Sequence, residues 1–332
     1  RSVGGRGDVR TVPSAAAHAS VVPGPVAASP SSGGTVDDVA AVGDAAVDSL
    51  LAGTKWGGPR GSGAEVEFSF ARYGSPWADD YGVGEPGDGF RPLNAAQQAA
   101  ARKALQLWAD VADIGFAEVN ETAGTVGDIR FGLSNAPNTA WAYYPTAGYA
   151  EGGDVWLGAA SHRNVTDYAP GTYTFHSLIH EIGHALGLKH PHDADGTGVR
   201  SSSDCQGVSV MSYRSYPGDA ITGSYSNDFF PTSPMLWDIK AVQAVYGANH
   251  ATRADDTVYS WRNGEQIFEC IWDGGGRDRI DCSNQFSAVT ISLVPGSWSR
   301  IGPAYRWDDG PASGSTAKTL SIAYGATIEN AA

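Results

Sequence analysis

Residues 180–190 read HEIGHALGLKH, three histidines and one glutamate within eleven positions. His180 and His184 are four apart, so on a helix they share one face, one turn above the other. Two imidazoles so placed can address one ion at about 2.0–2.1 Å from each nitrogen. Gly187 can adopt the backbone that ends a helix abruptly, and His190 can then return from a new direction as a third ligand. Three nitrogens on one side of a tetrahedron leave the fourth position to water, the arrangement of a catalytic zinc site. Glu181, beside His180, is rotated to reach that water instead of the ion and can take its proton. A lone histidine on an apolar helix face is usually ordinary core. Three at these offsets, with glutamate and a helix-ending glycine between them, point to a metal. His176, one turn before His180, and His192, in the polar stretch that follows, read as ordinary residues.

The surrounding sequence must position these side chains. AEVEFSFARY (64–73) alternates, with Val66, Phe68 and Phe70 on one face of a half-buried strand. Asn94 caps a helix AAQQAAARKALQLWADV whose Ala101, Leu105 and Trp108 fall at core-facing spacing. GFAEV (115–119), DIRFGLS (128–134), AWAYYP (140–145) and GGDVWLG (152–158) read as further strands of a mixed sheet. Thr174 is the expected cap of the histidine helix, with Leu178, Ile179, Ile182, Ala185 and Leu186 as its apolar stripe. Ser233-Pro234 opens a third helix, MLWDIKAVQAVYG, with Pro234 at its first helical position and Gly247 as its stop. Leu236, Ile239, Val242 and Tyr246 would face inward. Strands gathered around long helices imply an α+β catalytic domain over residues 51–250. Residues 1–50, rich in Ala, Val, Pro, Ser, Gly and Asp without a period, read as a flexible arm or propeptide-like segment. Beyond residue 251 helical periodicity gives way to short strands and glycine turns, so residues 251–332 are expected to be all-β with little core of their own.

The net charge of −14 in 332 residues and a pI near 4.8 argue against a nucleic-acid partner. No apolar run approaches the roughly 20 residues of a membrane span, and no charged-then-apolar leader opens the chain. Cys205, Cys270 and Cys282 form neither a disulfide framework nor a cysteine metal site. Cys270 and Cys282 flank the glycine turn near enough in sequence to bridge, but if Ile271 and Ile280 both point inward, Cys282 does so too and Cys270 does not, which argues against the bridge; Cys205 is expected to be free in either case.

HEIGHALGLKHP, SVMSY (209–213) and PMLWDIKAVQAVYGAN together resemble the serralysin branch of the metzincins, whose signature is H-E-x-x-H-x-x-G-x-x-H. WADVADIGFAEV (108–119) and YYPTAGYAEGGDVWL (143–157) are similar to segments of the same family. The resemblance covers roughly residues 50–332. It implies a metzincin catalytic domain, a twisted mixed sheet with a long zinc-binding helix, followed by a β-roll-like region. It also implies a secreted, extracellular zinc endopeptidase with protein or peptide substrates, a proteinaceous inhibitor as a further partner, and a monomer. By resemblance His180, His184 and His190 hold Zn²⁺, Glu181 is the general base, Met211 is the floor of the site, and Tyr213 ligates the resting ion and swings to the transition-state oxyanion.

WDGGGRDRID (272–281) resembles one degenerate turn of the G-G-x-G-x-D-x-U-x calcium repeat, in which glycines let carbonyls face one point and Asp278 adds a charged oxygen. The resemblance extends a Ca²⁺ ligand set over Arg253 (through its carbonyl), Asp255, Thr257, Asp273, Gly275, Gly276, Asp278, Thr327 and Glu329. Two other readings stay open at this level: a calcium-stabilised binding protein on an inactive protease scaffold, and a zinc hydrolase of non-peptide substrates. The intact Glu181 and histidines weigh against the first. The order of helix, glycine turn and methionine turn weighs against the second.

Overall fold

In the computed structural model, residues 34–221, 227–308 and 312–332 are described. Four parallel strands and one antiparallel edge strand build the main sheet, in the order Ile114–Glu118, Ala64–Phe70, Ile129–Ser134, Val155–Gly158, Ala140–Ala142. The central strand Ile129–Ser134 is buried along its whole length although its sequence alternates; its buried Arg130 is paired with Glu121 at 2.8 Å. The helix Ala95–Val111 carries the expected cap: Asn94 Oδ1 accepts from Gln97 N and Gln97 Oε1 accepts from Asn94 N. Its Ala101, Leu105 and Trp108 are buried, and Trp108 Nε1 donates to the Ile179 carbonyl of the histidine helix at 3.1 Å.

The histidine helix runs Tyr173–Ala185 and is capped by Thr172, whose hydroxyl accepts from Phe175 N. Thr174 was the expected cap; it lies inside the first turn and donates instead to the Asp167 carbonyl. The chain leaves the helix through a Schellman turn: Leu188 N donates to Gly183 O and Gly187 N to His184 O, with Gly187 at φ +91°. The third helix is Leu236–Tyr246, ended by Gly247 at φ +85°. Pro234 stands before its N-cap and not at its first position, because the Asp238 carboxylate closes the first turn on Met235 N at 2.8 Å.

The folded region begins well before residue 51. Val36–Asp38 pairs antiparallel with Thr54–Trp56, Asp44 caps the short helix Ala45–Asp48, and Val47 and Leu50 join the main core. Residues 34–50 are therefore part of the packed structure; three buried apolar side chains, Val39, Val47 and Leu50, in a stretch without a period leave no pattern to read. Residues 1–33 of the expected arm lie outside the described residues. This N-terminal segment grips the turn after the histidine helix. Lys189 N donates to Leu50 O, Ala52 N to Gly187 O, and Trp56 Nε1 to Ala185 O. Tyr246 adds a brace, its hydroxyl accepting from Trp56 N and donating to Leu186 O.

Past residue 251 the strands are short. Val258–Tyr259, Arg279–Ile280 and Asn330–Ala331 form a parallel sheet with Arg279–Ile280 central. Leu320–Ile322 lies between Trp298–Ser299 and Glu269–Ile271, and Tyr305–Trp307 pairs with Gly314–Thr316. The expectation of little core fails here. Phe268, Ile271, Ile280, Ile301, Leu320 and Ile322 are buried and belong to the same cluster as the catalytic-region core. Cys270 was expected to face outward; it is buried, because its strand is covered by the segment before the third helix, where Ser233 Oγ accepts from Cys270 N. All three cysteines are free thiols.

A Cβ at Gly187 would lie 2.1 Å from the Thr54 carbonyl oxygen. Gly187→Ala should therefore cost about 1–3 kcal/mol for the left-handed backbone alone, and more for the contact. The denaturant midpoint should fall with the slope unchanged; a variant as stable as the parent would show that the turn does not depend on glycine.

Candidate metal centre

The helix and its terminal turn bring His180, His184 and His190 together, with ligand-capable atoms within 4.8 Å of one another and all three residues buried. Each imidazole is anchored through Nδ1: His180 at 2.8 Å from Val210 O, His184 at 2.6 Å from Leu188 O, and His190 at 3.2 Å from Asp193 Oδ1. A carbonyl can only accept, so the proton of His180 and of His184 sits on Nδ1, and their Nε2 atoms present bare lone pairs. Those two Nε2 atoms are 3.0 Å apart. Burial holds both rings neutral, pushing His180 down to about 4 and His184 well below its ordinary value, where the neighbouring histidines add to the effect. Two neutral imidazoles with facing lone pairs repel unless a cation lies between them, so the donor set fits a zinc ion bound through nitrogen, with Nδ1 partners that fix tautomer and ring orientation.

Glu181 is fully buried, in the next helical position after His180. Tyr213 lies against the cluster, its ring stacked on His180 (5.6 Å, 18°) and 4.3 Å from the His190 ring. Met211 is wholly buried beneath the helix. A Cβ on Gly183 would come within 2.5 Å of its sulfur and 3.1 Å of Trp108, so only glycine at 183 allows this approach. His176 lies outside the trio; its Nε2 is 3.3 Å from Gln206 Nε2. His192, read from sequence as an ordinary loop residue, stacks on His190 at 5.2 Å.

Sequence reading missed Asp238. Its fully buried carboxylate accepts from Ser209 Oγ (2.6 Å), Val210 N (2.7 Å) and Met235 N (2.8 Å). It ties the third helix to the methionine turn, at the residue whose carbonyl orients His180. Burial raises its pKa to about 7 against the pull of these donors. A helix-start aspartate directly followed by core-facing Ile239 was the available signal.

The acidic residues of the glycine turn also converge. Asp278 is fully buried; its Oδ1 accepts from Thr257 N (2.8 Å), its own N donates to Glu329 Oε2 (2.7 Å), and its Oδ2 has no hydrogen-bond partner. Its pKa is raised by burial and then by the negative charges of Asp273 and Glu329. Asp273 is engaged by Tyr259 Oη and Gly275 N. Gly275 and Gly276 have φ of 151° and 116°, and Arg253 takes a left-handed φ of 51°. A Cβ on Gly276 would meet the Asp255 carbonyl group at 2.7 Å, so that close approach needs glycine. Thr257 Oγ1 donates to Asp255 O, and Thr327 is exposed two residues before Glu329. A buried carboxylate oxygen without a donor, facing two further carboxylates, suits a hard cation with oxygen ligands.

Asp238→Ala would leave three buried donors without an acceptor, at about 1–3 kcal/mol each. It should lower stability by about 3 kcal/mol or more and weaken zinc binding at least about tenfold, measured by unfolding and by competition with a chromophoric chelator. Unchanged zinc affinity would disconnect Asp238 from the orientation of His180.

Comparison with known proteins agrees with this geometry. Residues 91–197 match the matrixin family, and residues 236–332 match the serralysin C-terminal family of the M10 peptidases. Serralysin of Photorhabdus laumondii subsp. laumondii is 34% identical over 267 residues, 73% of this chain and 52% of the relative. Metalloprotease AprA of Pseudomonas entomophila is 34% identical over 269 residues, 73% of this chain and 52% of the relative. Serralysin A of Dickeya chrysanthemi is 34% identical over 299 residues, 83% of this chain and 58% of the relative. The chain spans little more than half the length of these curated relatives. With the histidine helix, glycine turn and methionine turn in one site and family matches over residues 91–197 and 236–332, the chain belongs to the serralysin-type metzincins.

Proposed function

We propose that this chain is a secreted zinc endopeptidase that cleaves internal peptide bonds of protein or peptide substrates. The observation that carries the reading is the buried trio His180, His184 and His190, with two lone pairs facing at 3.0 Å and Glu181 in the adjoining helical position. Zinc at such a site polarises a carbonyl and lowers the pKa of water to about 7. Glu181 accepts the proton that water loses on attacking the scissile carbonyl and delivers it to the departing amine. Tyr213, in contact with His180 and His190, donates its hydroxyl to the carbonyl oxygen as negative charge develops there. A cavity of about 410 Å³ lined by Tyr144, Lys189, His190 and Asp193 opens beside the trio and offers room for a substrate side chain. An extracellular site of action, a proteinaceous inhibitor as partner and a monomeric state follow from family resemblance; no described helix is long and apolar enough to cross a membrane.

The C-terminal region, in the same reading, holds Ca²⁺ through Asp273, Asp278 and Glu329, with backbone or side-chain oxygens of Arg253, Asp255, Thr257, Gly275, Gly276 and Thr327. Asp278 Oδ2, buried without a donor, supports the assignment. Because the segment packs its apolar side chains into the main core, the ion would act locally, joining the strand Asn330–Ala331 to the glycine turn.

Glu181→Ala should retain zinc and lose nearly all turnover, whereas His184→Ala should lose zinc as well. Metal analysis and peptide hydrolysis on both proteins separate the roles, and an active Glu181→Ala protein would sink Glu181 as the base. Tyr213→Phe should lower kcat by about 10²–10³ with little change in KM; a parental kcat would return Tyr213 to packing. Removing calcium with a selective chelator should speed hydrogen exchange at residues 253–259, 273–281 and 327–332 while the histidine helix stays protected. Unchanged exchange there would mean that the acidic turns are only solvated loops.

A further inference from the structure

His192 follows the third histidine by two residues, in the polar stretch after the helix, yet its side chain is only 9% exposed. Its Nδ1 lies 3.1 Å from Asp204 Oδ2, and the same oxygen is 3.1 Å from Arg214 Nε. Asp204 is fully buried. An ionised carboxylate only accepts, so both partners donate to it, and the imidazole plane is fixed from behind. The ring then stacks on His190 (5.2 Å, 11°) and lies 5.1 Å from the Tyr213 ring at 47°. Arg214, the other partner of Asp204, is the residue directly after Tyr213, and its backbone is held by Ser212 Oγ and Gln206 N. One buried carboxylate therefore fixes both the wall beside the tyrosine ring and the chain that carries the ring. Tyr213 has His180 and His190 along its other contacts.

We propose that His192, clamped by Asp204, is a positioning residue for Tyr213, setting where the phenol can sit relative to the zinc ligands. The inference rests on the role given to Tyr213 above. It explains why a histidine in a polar loop is nearly buried and why a fully buried aspartate is shared between that loop and the segment after the methionine turn. Mere packing would need the ring but not the hydrogen bond.

The test uses the full chain, with zinc for kinetics and with Cu²⁺ in its place for absorption, where a phenolate-to-copper charge-transfer band reports ligation by Tyr213 directly. His192→Phe keeps a ring and loses the donor. It should lower kcat about tenfold or more with KM within about twofold and zinc content unchanged, and it should weaken or shift the copper band. Asp204→Asn keeps an acceptor oxygen for both donors and should retain the band, with kcat within about threefold of the parent. In a Tyr213→Phe background His192→Phe should cost nothing further, the signature of two residues acting through one interaction. A parental kcat and an unshifted band in His192→Phe overturn the proposal, as does a loss in Asp204→Asn as large as in His192→Phe. A copper band missing from the parent protein, or a fully active Tyr213→Phe, instead refutes the role of Tyr213 itself.

Discussion

Two buried imidazoles hold their Nδ1 protons against backbone carbonyls and turn bare nitrogens toward each other at 3.0 Å. That arrangement is costly for an apolar interior, and much of the surrounding fold exists to maintain it. The carbonyls come from two different turns, Leu188 after the glycine stop and Val210 in the methionine turn. The first turn is gripped by residues 50–56 and by the Tyr246 hydroxyl; the second hangs from Asp238. Segments near the beginning of the described chain and from the third helix thus meet at the same pair of histidines. Hydrogen bonds from each ring's Nδ1 to carbonyls held by these turns fix the orientations of the two imidazoles.

Three buried aspartates illustrate how one residue type serves different ends. Asp238 has donors from two elements and acts as a rivet. Asp204 takes a cationic guanidinium and an imidazole on one oxygen, so its charge is neutralised by protein. Asp278 differs in its neighbours, which include two more carboxylates, Asp273 and Glu329; an oxygen without a donor is a feature it shares with Asp204. Burying a carboxylate without compensation is strongly unfavourable; the Arg214 guanidinium offsets that cost at Asp204, whereas the like charges beside Asp278 add to it. The pairing of Asn330–Ala331 with Arg279–Ile280 brings Glu329 to the Asp278 amide, so the sheet register and the acidic cluster depend on each other.

Much of this is legible in the sequence. Helical spacing of His180 and His184, the stop at Gly187 and the return of His190 follow from local geometry, and the structure brings these three residues together. Local signals also point to the Asn94 cap and to the inward faces of the three long helices. Errors arose where two neighbouring residues offered the same chemistry, as with Thr172 and Thr174, or where a carboxylate closed a turn earlier than a proline suggested, as with Asp238 and Pro234. Residues 34–50 and the C-terminal core were invisible for a different reason. Their apolar residues are sparse along the chain and become a core only when distant strands are laid together. Cys270 is the same case, since alternation assigns a strand two faces but not whether the outer one is covered.

The tightest constraint lies between the ligand helix and what supports it. Gly183 sits one residue before His184, where Met211 from the turn and Trp108 from the long helix both press against the backbone. Trp108 also donates to Ile179 O, on the turn preceding Gly183. The helix is thereby held from below by sulfur, from the side by indole, and at its end by the strand-like segment at residues 50–56. From the loop 191–207, the residues that touch the site are Asp193, His192 and Asp204, at its inner edge. Position 183 is packed more tightly: an added methyl would meet Met211 Sδ at 2.5 Å and the Trp108 ring at 3.1 Å, so the Met211 side chain under the ligand helix would have to move.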